Sequence, residues 1–401
     1  SFSTGVNITF NELPSRSEMS MFEEIYLKNY KEVKNAALPI EKISPRNEWF
    51  KGDTTKKLSI PIGKNEDGNV QCVEFGDVVG NGTSHHALVF GSLGSGKSTL
   101  LHTIIMSAIT KYGPDELNLY LMDFKSGTEF KVYANNNIPH IKLLALDAMQ
   151  EFGQSILDEL WEIMQERIRL IAKLNEERGI DVRNITQYRE ATGEKMPRIL
   201  VIADEFQMLF SEDNNRKVAN YCAGKLADFI SICRVYGIHF ILATQTMSRL
   251  SSGFTVRRST LNEMYVRIGM QCTDMESNQI FGDVNGRIAF KKMGTEKGSA
   301  VYSENYSRTT PTALKVAYCN PEAQEAILSE VESRFSLMET SEKTKVFSGD
   351  SVPDIKECVE FNSFDENETF NSVPIYLGEP IKIAPPVRIN VNRMKRSTLL
   401  I

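Results

Sequence analysis

Two short stretches of this sequence combine residues that could hold and cleave a phosphate chain. The first, Gly91-Ser-Leu-Gly-Ser-Gly-Lys-Ser98, fits the pattern GxxxxGK[ST]. Glycines let the backbone wrap closely around a phosphate so that successive amide groups bind the anion. The lysine can neutralise phosphate charge, and the hydroxyl that follows it can ligate Mg²⁺. We predict that the nucleotide is bound by Gly91, Leu93, Gly94, Ser95, Gly96, Lys97, Ser98 and Thr99.

The second stretch, Ile199-Leu-Val-Ile-Ala-Asp-Glu-Phe206, is an apolar run that ends in two carboxylates. A buried strand cannot solvate paired charges, so Asp204 and Glu205 should lie at its exposed carboxyl end, beside the phosphate loop. Asp204 would then hold Mg²⁺ together with Ser98, and Glu205 would polarise the attacking water as general base. The two stretches together predict ATP and Mg²⁺ as cofactors and ATP hydrolysis as the reaction.

A third polar residue, Gln245, ends the strand-like run Ile241-Leu-Ala-Thr-Gln245. An amide at this place could sense the γ-phosphate or position water. Ordinary turn polarity would explain the same residue.

The elements around these residues predict one α/β domain. Short β-type runs alternate with helical patterns between residues 84 and 320, which favours a mostly parallel sheet with crossover helices. The helix that follows the phosphate loop, Ser98–Lys111, has one apolar face and stops at Gly113-Pro114. A longer helix is predicted over Glu151–Glu177. The predicted strands are His86–Phe90, Leu117–Met122, Ile141–Leu146, Ile199–Ala203, Ile238–Ala243, Met264–Ile268 and Ser299–Tyr302.

Composition changes divide the chain into four predicted segments. Residues 1–57 are a mixed, polar amino-terminal appendage, with a helix expected around Met19–Val33, and residues 58–338 form the ATPase domain. Its first elements are the strand-like runs from Leu58 and Val70, joined by the turn Asn65-Glu-Asp-Gly68. Residues 339–372 are rich in Ser, Thr, Glu, Asp and Asn and are predicted to be a linker. The short strands expected at Pro374–Gly378 and Ile381–Ile383, and the apolar run Ser397–Ile401, predict that residues 373–401 begin a second ATPase domain.

Charge and composition restrict the kinds of partner. The chain has 401 residues and a net charge of −6, so it has no overall positive charge for nucleic acid, and any contact with a polyanion must be local. The cysteines and histidines show no zinc-type spacing. No apolar run is long enough to span a bilayer. We expect the chain to be cytoplasmic, or to be associated with a membrane through regions or partners outside it.

Roughly residues 58–320 resemble the FtsK/SpoIIIE branch of the FtsK–HerA superfamily of ring-forming translocation ATPases. The resemblance rests on the phosphate loop, on Leu121-Met-Asp-Phe-Lys-Ser-Gly-Thr-Glu-Phe130, on Pro197–Phe206 and on Gly237–Gln245, in this order. It implies a RecA-like P-loop fold of the FtsK–HerA type and a ring homo-oligomer, a hexamer, with ATP between subunits.

The resemblance also implies that an arginine of a neighbouring subunit reaches the γ-phosphate, where such a finger can raise the rate by ~10³ or more. Arg167 is the first candidate, because Met164-Gln-Glu-Arg167 resembles the family's Glu-Met-x-Arg-Arg pattern, although Glu166 replaces the first arginine. Arg234, Arg258 and Arg267 are alternatives, and a salt-bridged structural role remains open for each.

The resemblance leaves open which polymer the motor moves, because two branches of the family move different polymers. One branch pumps double-stranded DNA, and this is the hypothesis that we favour. The loop Thr246–Arg258, which contains Arg249 and Arg257, would then line the pore. The EccC/EssC branch drives type VII protein secretion. A nucleotide-binding assembly scaffold with low turnover is the third hypothesis.

Overall fold

The computed structural model describes residues 37–77, 84–125, 129–146, 149–246, 258–304, 309–336, 344–348, 372–378 and 387–392, with the isolated residues 16, 19–21 and 362. Its strands are β1 (Leu38–Pro39), β2 (Leu58–Asn65), β3 (Val70–Phe75), β4 (Ala87–Phe90), β5 (Leu117–Asp123), β6 (Ile141–Leu146), β7 (Arg198–Asp204), β8 (Ile238–Thr244), β9 (Val266–Gly269), β10 (Ser299–Ser303), β11 (Thr312–Tyr318), β12 (Lys345–Ser348), β13 (Ser372–Gly378) and β14 (Val387–Asn392). Its helices are α1 (Lys97–Lys111), α2 (Gln150–Arg178), α3 (Ile185–Thr192), α4 (Glu212–Ile232), α5 (Arg258–Asn262), α6 (Asp274–Phe281), α7 (Asp283–Lys292) and α8 (Pro321–Phe335).

One large sheet organises the domain. Its order is β12-β6-β5-β7-β8-β4-β9-β10-β11-β2-β3, and β1 pairs with β11. The strands from β12 to β9 are parallel to one another, whereas β10, β11, β2 and β3 continue the sheet in antiparallel pairs. The predicted α/β fold with a mostly parallel sheet is therefore confirmed.

The central strands are buried on both faces, which explains their nearly continuous apolar runs. In β7, Leu200 and Ile202 belong to the core on one face, with α1 and α8, while Val201 and Ala203 face the core on the other, with α2 and α4. Because β4, β7 and β8 run parallel, their carboxyl ends meet at one edge of the sheet. That edge carries the site described below.

The predicted strands between residues 84 and 302 agree with the structure to within two residues at each end, and the helices after Lys97 and Gln150 are confirmed. The turn Asn65–Gly68 joins β2 and β3 as expected, with the amide of Gly68 donating to Asn65 O at 2.9 Å. The strands β1, β11, β12 and β14 and the helices α3 to α8 were not predicted. The helix expected around Met19–Val33 and the runs Ile381–Ile383 and Ser397–Ile401 lie wholly or mostly outside the described residues.

Each of the three predicted segments outside the ATPase domain contains residues whose structure is described. Of the predicted appendage, residues 37–57 pack on the ATPase core, where Ile40, Ile43 and Trp49 are buried. Of the predicted linker, Lys345–Ser348 adds a parallel strand next to β6. After the linker, β13 and β14 form a separate antiparallel hairpin. The division into four segments stays a prediction.

Candidate nucleotide site

The phosphate loop connects a buried strand to the amino end of a helix. Every residue of β4 is buried, and α1 begins at Lys97 immediately after Gly96. Gly94 and Gly96 have φ values of 77° and 99°, a region that suits glycine and strains other residues. The amino end of α1 has no side-chain cap, so its backbone N–H groups are available to an anion.

The acidic pair lies directly beside this loop, as the sequence predicted. Asp204 is the last residue of β7, and its Oδ1 forms an ion pair with Lys97 Nζ. The same ammonium group lies 3.5 Å from Glu205 Oε1. All three side chains are buried, with 3–4% of each residue exposed. One lysine thus neutralises two carboxylates in a place from which water is largely excluded.

Glu205 has an unusual backbone conformation. Its φ is 50°, in the left-handed region that non-glycine residues rarely adopt and that costs about 1–3 kcal/mol. Its Oε2 accepts a 2.6 Å hydrogen bond from Gln207 Nε2, whereas its Oε1 has no hydrogen-bond partner among the described residues. The carboxylate is therefore held from one side and offers an oxygen on the side of Lys97.

Burial dominates the electrostatics of Asp204. It raises the pKa of this carboxyl, and the Coulomb attraction and hydrogen bond of Lys97 act in the opposite direction. The backbone amide of Glu205 also donates to Asp204 Oδ1 at 2.9 Å. Lys97 is therefore the main group that opposes this rise in the pKa of Asp204.

A cavity of about 550 Å³ opens over the phosphate loop. Of the predicted nucleotide-binding residues, Leu93, Gly94, Ser95, Gly96, Lys97, Ser98 and Thr99 line it. Gly91 lies behind the loop, where an added Cβ would stand 2.3 Å from Ser95 Oγ. Gln245 lines the same cavity, and its Oε1 accepts a 3.1 Å hydrogen bond from Lys125 Nζ. The predicted amide thus stands at the edge of the phosphate site.

Comparison with known proteins agrees with this geometry. Residues 53–249 match the model of the FtsK/SpoIIIE family, and residues 198–316 match that of the TraM recognition site of TraD and TraG. Over these residues the chain is similar to the ATPases of the FtsK/SpoIIIE family.

The relatives of this FtsK/SpoIIIE-like ATPase include DNA translocases and secretion-system proteins. The DNA translocase FtsK of Clostridium tetani is 28% identical over 340 residues, which cover 83% of this chain and 40% of that protein. The ESX-1 secretion system protein EccCa1 of Mycobacterium tuberculosis is 27% identical over 267 residues, which cover 61% of this chain and 33% of that protein. The chain thus matches well under half the length of either relative.

Solved structures share the fold of this ATPase. EssC (ATPases 2 and 3) from Geobacillus thermodenitrificans superposes with a TM-score of 0.58 at 20% identity, over 86% of this chain and 61% of that chain. The cytoplasmic domain of the type VII secretion ATPase EccC of Thermomonospora curvata gives a TM-score of 0.57 at 20% identity, over 74% of this chain and 34% of that chain.

The residues at this edge of the FtsK/SpoIIIE-like ATPase fit a Mg²⁺ ion. Mg²⁺ prefers oxygen ligands and is usually held by one or two protein groups together with substrate phosphates. Ser98 lines the cavity at the phosphate loop, and Asp204 and Glu205, which both pair with the adjacent Lys97, supply carboxylate oxygens.

Sequence reasoning missed two carboxylates of the site. Asp123 ends β5 and pairs in register with Asp204, and it accepts hydrogen bonds from the backbone amides of Lys125 and Glu129. The Glu129 carboxylate reaches back to α1, where it lies beside the Ser98 hydroxyl and its Oε1 is 3.4 Å from His102 Nε2. Hydrogen bonding to His102 lowers the pKa of Glu129. Two signals were available: both residues follow a predicted strand, and both lie in the stretch Leu121–Phe130 that carries the family resemblance.

Arg167, the candidate finger, is placed elsewhere. Its guanidinium is buried and donates to Tyr236 O and, at 2.7 Å, to Pro197 O. These carbonyls directly precede β8 and β7, so they lie at the amino ends of the parallel strands, opposite the phosphate loop. Burial also lowers the pKa of Arg167 to about 10. From this position the guanidinium could reach another subunit only by leaving both carbonyls unpaired, and the finger assignment stays a prediction.

The alternative arginines differ in what surrounds them. Arg267 is buried and donates to the backbone carbonyls of Met264, Leu261 and Ile280. Arg234 is half-buried and donates to Ser231 O. The side chain of Arg258 and residues 247–257 of the predicted pore loop lie outside what the structure describes.

Within the described part of the chain, no helix is both long and apolar enough to cross a membrane.

Proposed function

We propose that this ATPase domain binds and hydrolyses ATP within a ring of identical subunits and uses the energy to translocate double-stranded DNA. The observation that carries the hydrolytic part is the position of Lys97 between Asp204 and Glu205 at the carboxyl edge of the sheet. A buried ammonium group requires an anion. Lys97 can exchange its carboxylate partner for β- and γ-phosphate oxygens, which frees Asp204 and Glu205 for the reaction.

Each residue of the site then has a separate role in phosphoryl transfer. The open amino end of α1 binds the phosphates, and Lys97 neutralises their charge. Mg²⁺, held by Ser98 and Asp204, would neutralise charge that develops on the phosphate oxygens. Glu205 Oε1 accepts the proton of the attacking water as general base, and the hydrogen bond from Gln207 fixes its carboxylate. Gln245 orients the water or senses the γ-phosphate from the cavity edge.

Two variants test the hydrolytic proposal. Lys97→Ala should lose nucleotide binding. Glu205→Gln keeps the shape of the side chain but lacks its basicity, so it should bind ATP and retain it uncleaved. Nucleotide retained after gel filtration and phosphate release measure the two effects. Normal turnover by Glu205→Gln would refute its role as base.

Double-stranded DNA is proposed as the polymer because the match to a DNA translocase extends over 83% of this chain. The proposed contact is the loop Thr246–Arg258, whose arginines would reach the DNA phosphates. Each lost phosphate contact should reduce the slope of log K against log [salt] by about 0.9. Binding of a DNA duplex by Arg257→Ala/Arg258→Ala, measured between 50 and 200 mM salt as a conventional range, tests this contact.

Protein export is the second candidate, supported by the similarity to EccCa1. Stimulation of the ATPase separates the hypotheses. A DNA duplex should accelerate a DNA translocase, and a secreted substrate protein should accelerate an export motor. A nucleotide-binding scaffold would respond to neither and would turn over slowly.

We further propose the four-segment organisation, with residues 373–401 at the start of a second ATPase domain. Support comes from a similarity between two hairpins. In β2–β3 the pairing register shifts between Pro61 and Gly63, and in β13–β14 it shifts between Tyr376 and Gly378, so each first strand carries an irregularity that ends at a glycine. A second phosphate-loop motif encoded downstream in the natural gene would support this proposal. We place the ATPase in the cytoplasm or at a membrane through other parts of the protein.

A further inference from the structure

The cavity over the phosphate loop continues past the phosphate-binding residues. Its far wall consists of the turn Lys297-Gly298, three residues of β11 and Ala37. The β11 residues are Lys315, Val316 and Tyr318. At about 550 Å³, the cavity falls within the range of about 300–1,000 Å³ typical of small-molecule sites. No motif in the sequence accounts for this second wall.

Tyr318 is the aromatic residue of that wall. It is 43% exposed, whereas its neighbours Ala317 and Cys319 are buried. An aromatic ring that faces a cavity can bury one face against a planar ligand at little conformational cost, since its side chain has only two rotatable bonds.

The backbone of Tyr318 is fixed relative to the phosphate loop. Thr103 of α1, the helix that carries Lys97, donates a 2.6 Å hydrogen bond from Oγ1 to Ala317 O. On its other side, Tyr318 pairs with Pro39 of β1. These two contacts fix the position of the end of β11 relative to α1, the helix whose amino end would bind the phosphates.

The adjoining turn fits closely against the loop. Gly298 has a φ of 77°, and its carbonyl accepts a 2.8 Å hydrogen bond from Val316 N. A Cβ added to Gly96 would lie 3.9 Å from Gly298 N. Lys315 Nζ donates to Lys297 O at 2.9 Å and fastens the turn to β11. The two walls thus form one rigid site with phosphate donors at one side and an aromatic ring at the other.

We propose that Tyr318 stacks on the base of the bound nucleoside triphosphate and turns a general polyphosphate site into a nucleoside site. This inference rests on the proposed function of the phosphate loop. Every nucleobase has a π-face, so stacking supplies affinity with little preference among bases. The phenol hydroxyl has no part in this contact.

The test compares two probes, Mg-ATP and inorganic tripolyphosphate with Mg²⁺, by calorimetry on the whole chain. Tyr318→Ala should weaken ATP binding by about 10- to 100-fold, the range expected for one stacked base, and leave tripolyphosphate binding unchanged. Tyr318→Phe should bind ATP as the wild type does. Tyr221→Ala is the matched control, because Tyr221 is 42% exposed and lies on α4.

Each remaining outcome has a defined meaning. Wild-type affinity for ATP in Tyr318→Ala, or an equal loss for both probes, would overturn the stacking role. An equal loss in Tyr318→Phe would overturn it in favour of the hydroxyl. Lys97→Ala should lose both probes. If the wild type binds neither probe, the proposed function fails and this inference fails with it.

Discussion

The Glu129 carboxylate lies beside the Ser98 hydroxyl, and hydrogen bonding to this hydroxyl helps to lower the pKa of Glu129. The Glu129 carboxylate is held in turn by His102, whose Nε2 lies 3.4 Å from Glu129 Oε1. An acceptor for the hydroxyl proton aims the oxygen lone pairs of Ser98 away from Glu129 and into the cavity. Glu129 is therefore placed to orient the group predicted to ligate Mg²⁺.

Removal of this carboxylate should weaken the binding of the metal. Loss of an outer-shell partner typically costs about 10- to 100-fold in metal affinity. We expect Glu129→Ala to bind Mn²⁺ more weakly by at least the lower of these factors in the presence of ATP, as measured by electron paramagnetic resonance. Glu263→Ala is the control, because Glu263 is similarly exposed and lies 3.5 Å from His85, at the other end of β4. Equal Mn²⁺ affinity in both variants would exclude an orienting role.

Lys97→Ala should also destabilise the domain. It removes the cation from a buried pair and leaves Asp204 uncompensated, a change that typically costs about 3–5 kcal/mol. Asp204 already has a raised pKa, so the folded state binds its proton more tightly than the unfolded state does. The penalty is therefore fully relieved below the unfolded pKa of about 3.9 and grows as the pH rises through the raised folded value.

Urea unfolding of wild type and Lys97→Ala at pH 5 and pH 7 measures this dependence. The difference in unfolding free energy should be smaller at pH 5. Adding Asp204→Asn to Lys97→Ala should recover part of the stability at pH 7. A difference that does not change with pH, and is not reduced in the double variant, would contradict the account.

The sequence predicted those parts of the site in which one short stretch contains both the functional residues and the residues that set the backbone conformation. Gly94 and Gly96 have the positive φ values that a phosphate loop requires. Asp204 follows a strand whose residues are all buried, so its place at the carboxyl end could be deduced from neighbouring residues alone.

Residues that join the site through tertiary contacts could not be predicted in this way. Glu129 lies 31 positions after Ser98 in the sequence, and Tyr318 comes from an antiparallel strand that was not predicted. The resemblance that suggested Arg167 as a finger contains no information on its two carbonyl partners. These belong to Pro197 and Tyr236, 30 and 69 residues away.

Arg167→Ala should lower stability rather than remove a catalytic group. Each carbonyl left without a partner costs about 1–3 kcal/mol, so for two carbonyls we expect a total loss of about 2–6 kcal/mol. Arg169→Ala, two positions later on the same helix, changes a side chain that is 66% exposed and should alter stability by less than about 0.5 kcal/mol. Thermal and urea unfolding give both values. A fully stable Arg167→Ala protein that has lost ATP turnover would support the finger assignment instead.

Buried histidines should make the domain sensitive to mild acid. Burial lowers the pKa of His86 to about 3 and that of His140 to about 4. The unfolded chain therefore binds more protons than the folded one below the ordinary histidine pKa of about 6.5, and stability falls as the pH drops from there towards 4. Each such histidine contributes about 1.4 kcal/mol per pH unit.

His140→Gln isolates one of these contributions. His140 Nε2 hydrogen-bonds to Tyr112 O at 2.8 Å, and a glutamine amide can donate to the same carbonyl without titrating. The unfolding free energy of this variant, measured in urea at pH 4.5, 5.0, 5.5 and 6.0, should fall less steeply with acid than that of the wild type, by about 1.4 kcal/mol per pH unit. Parallel curves for the two proteins would mean that His140 takes up no proton on unfolding, and acid sensitivity would then have to arise from other groups.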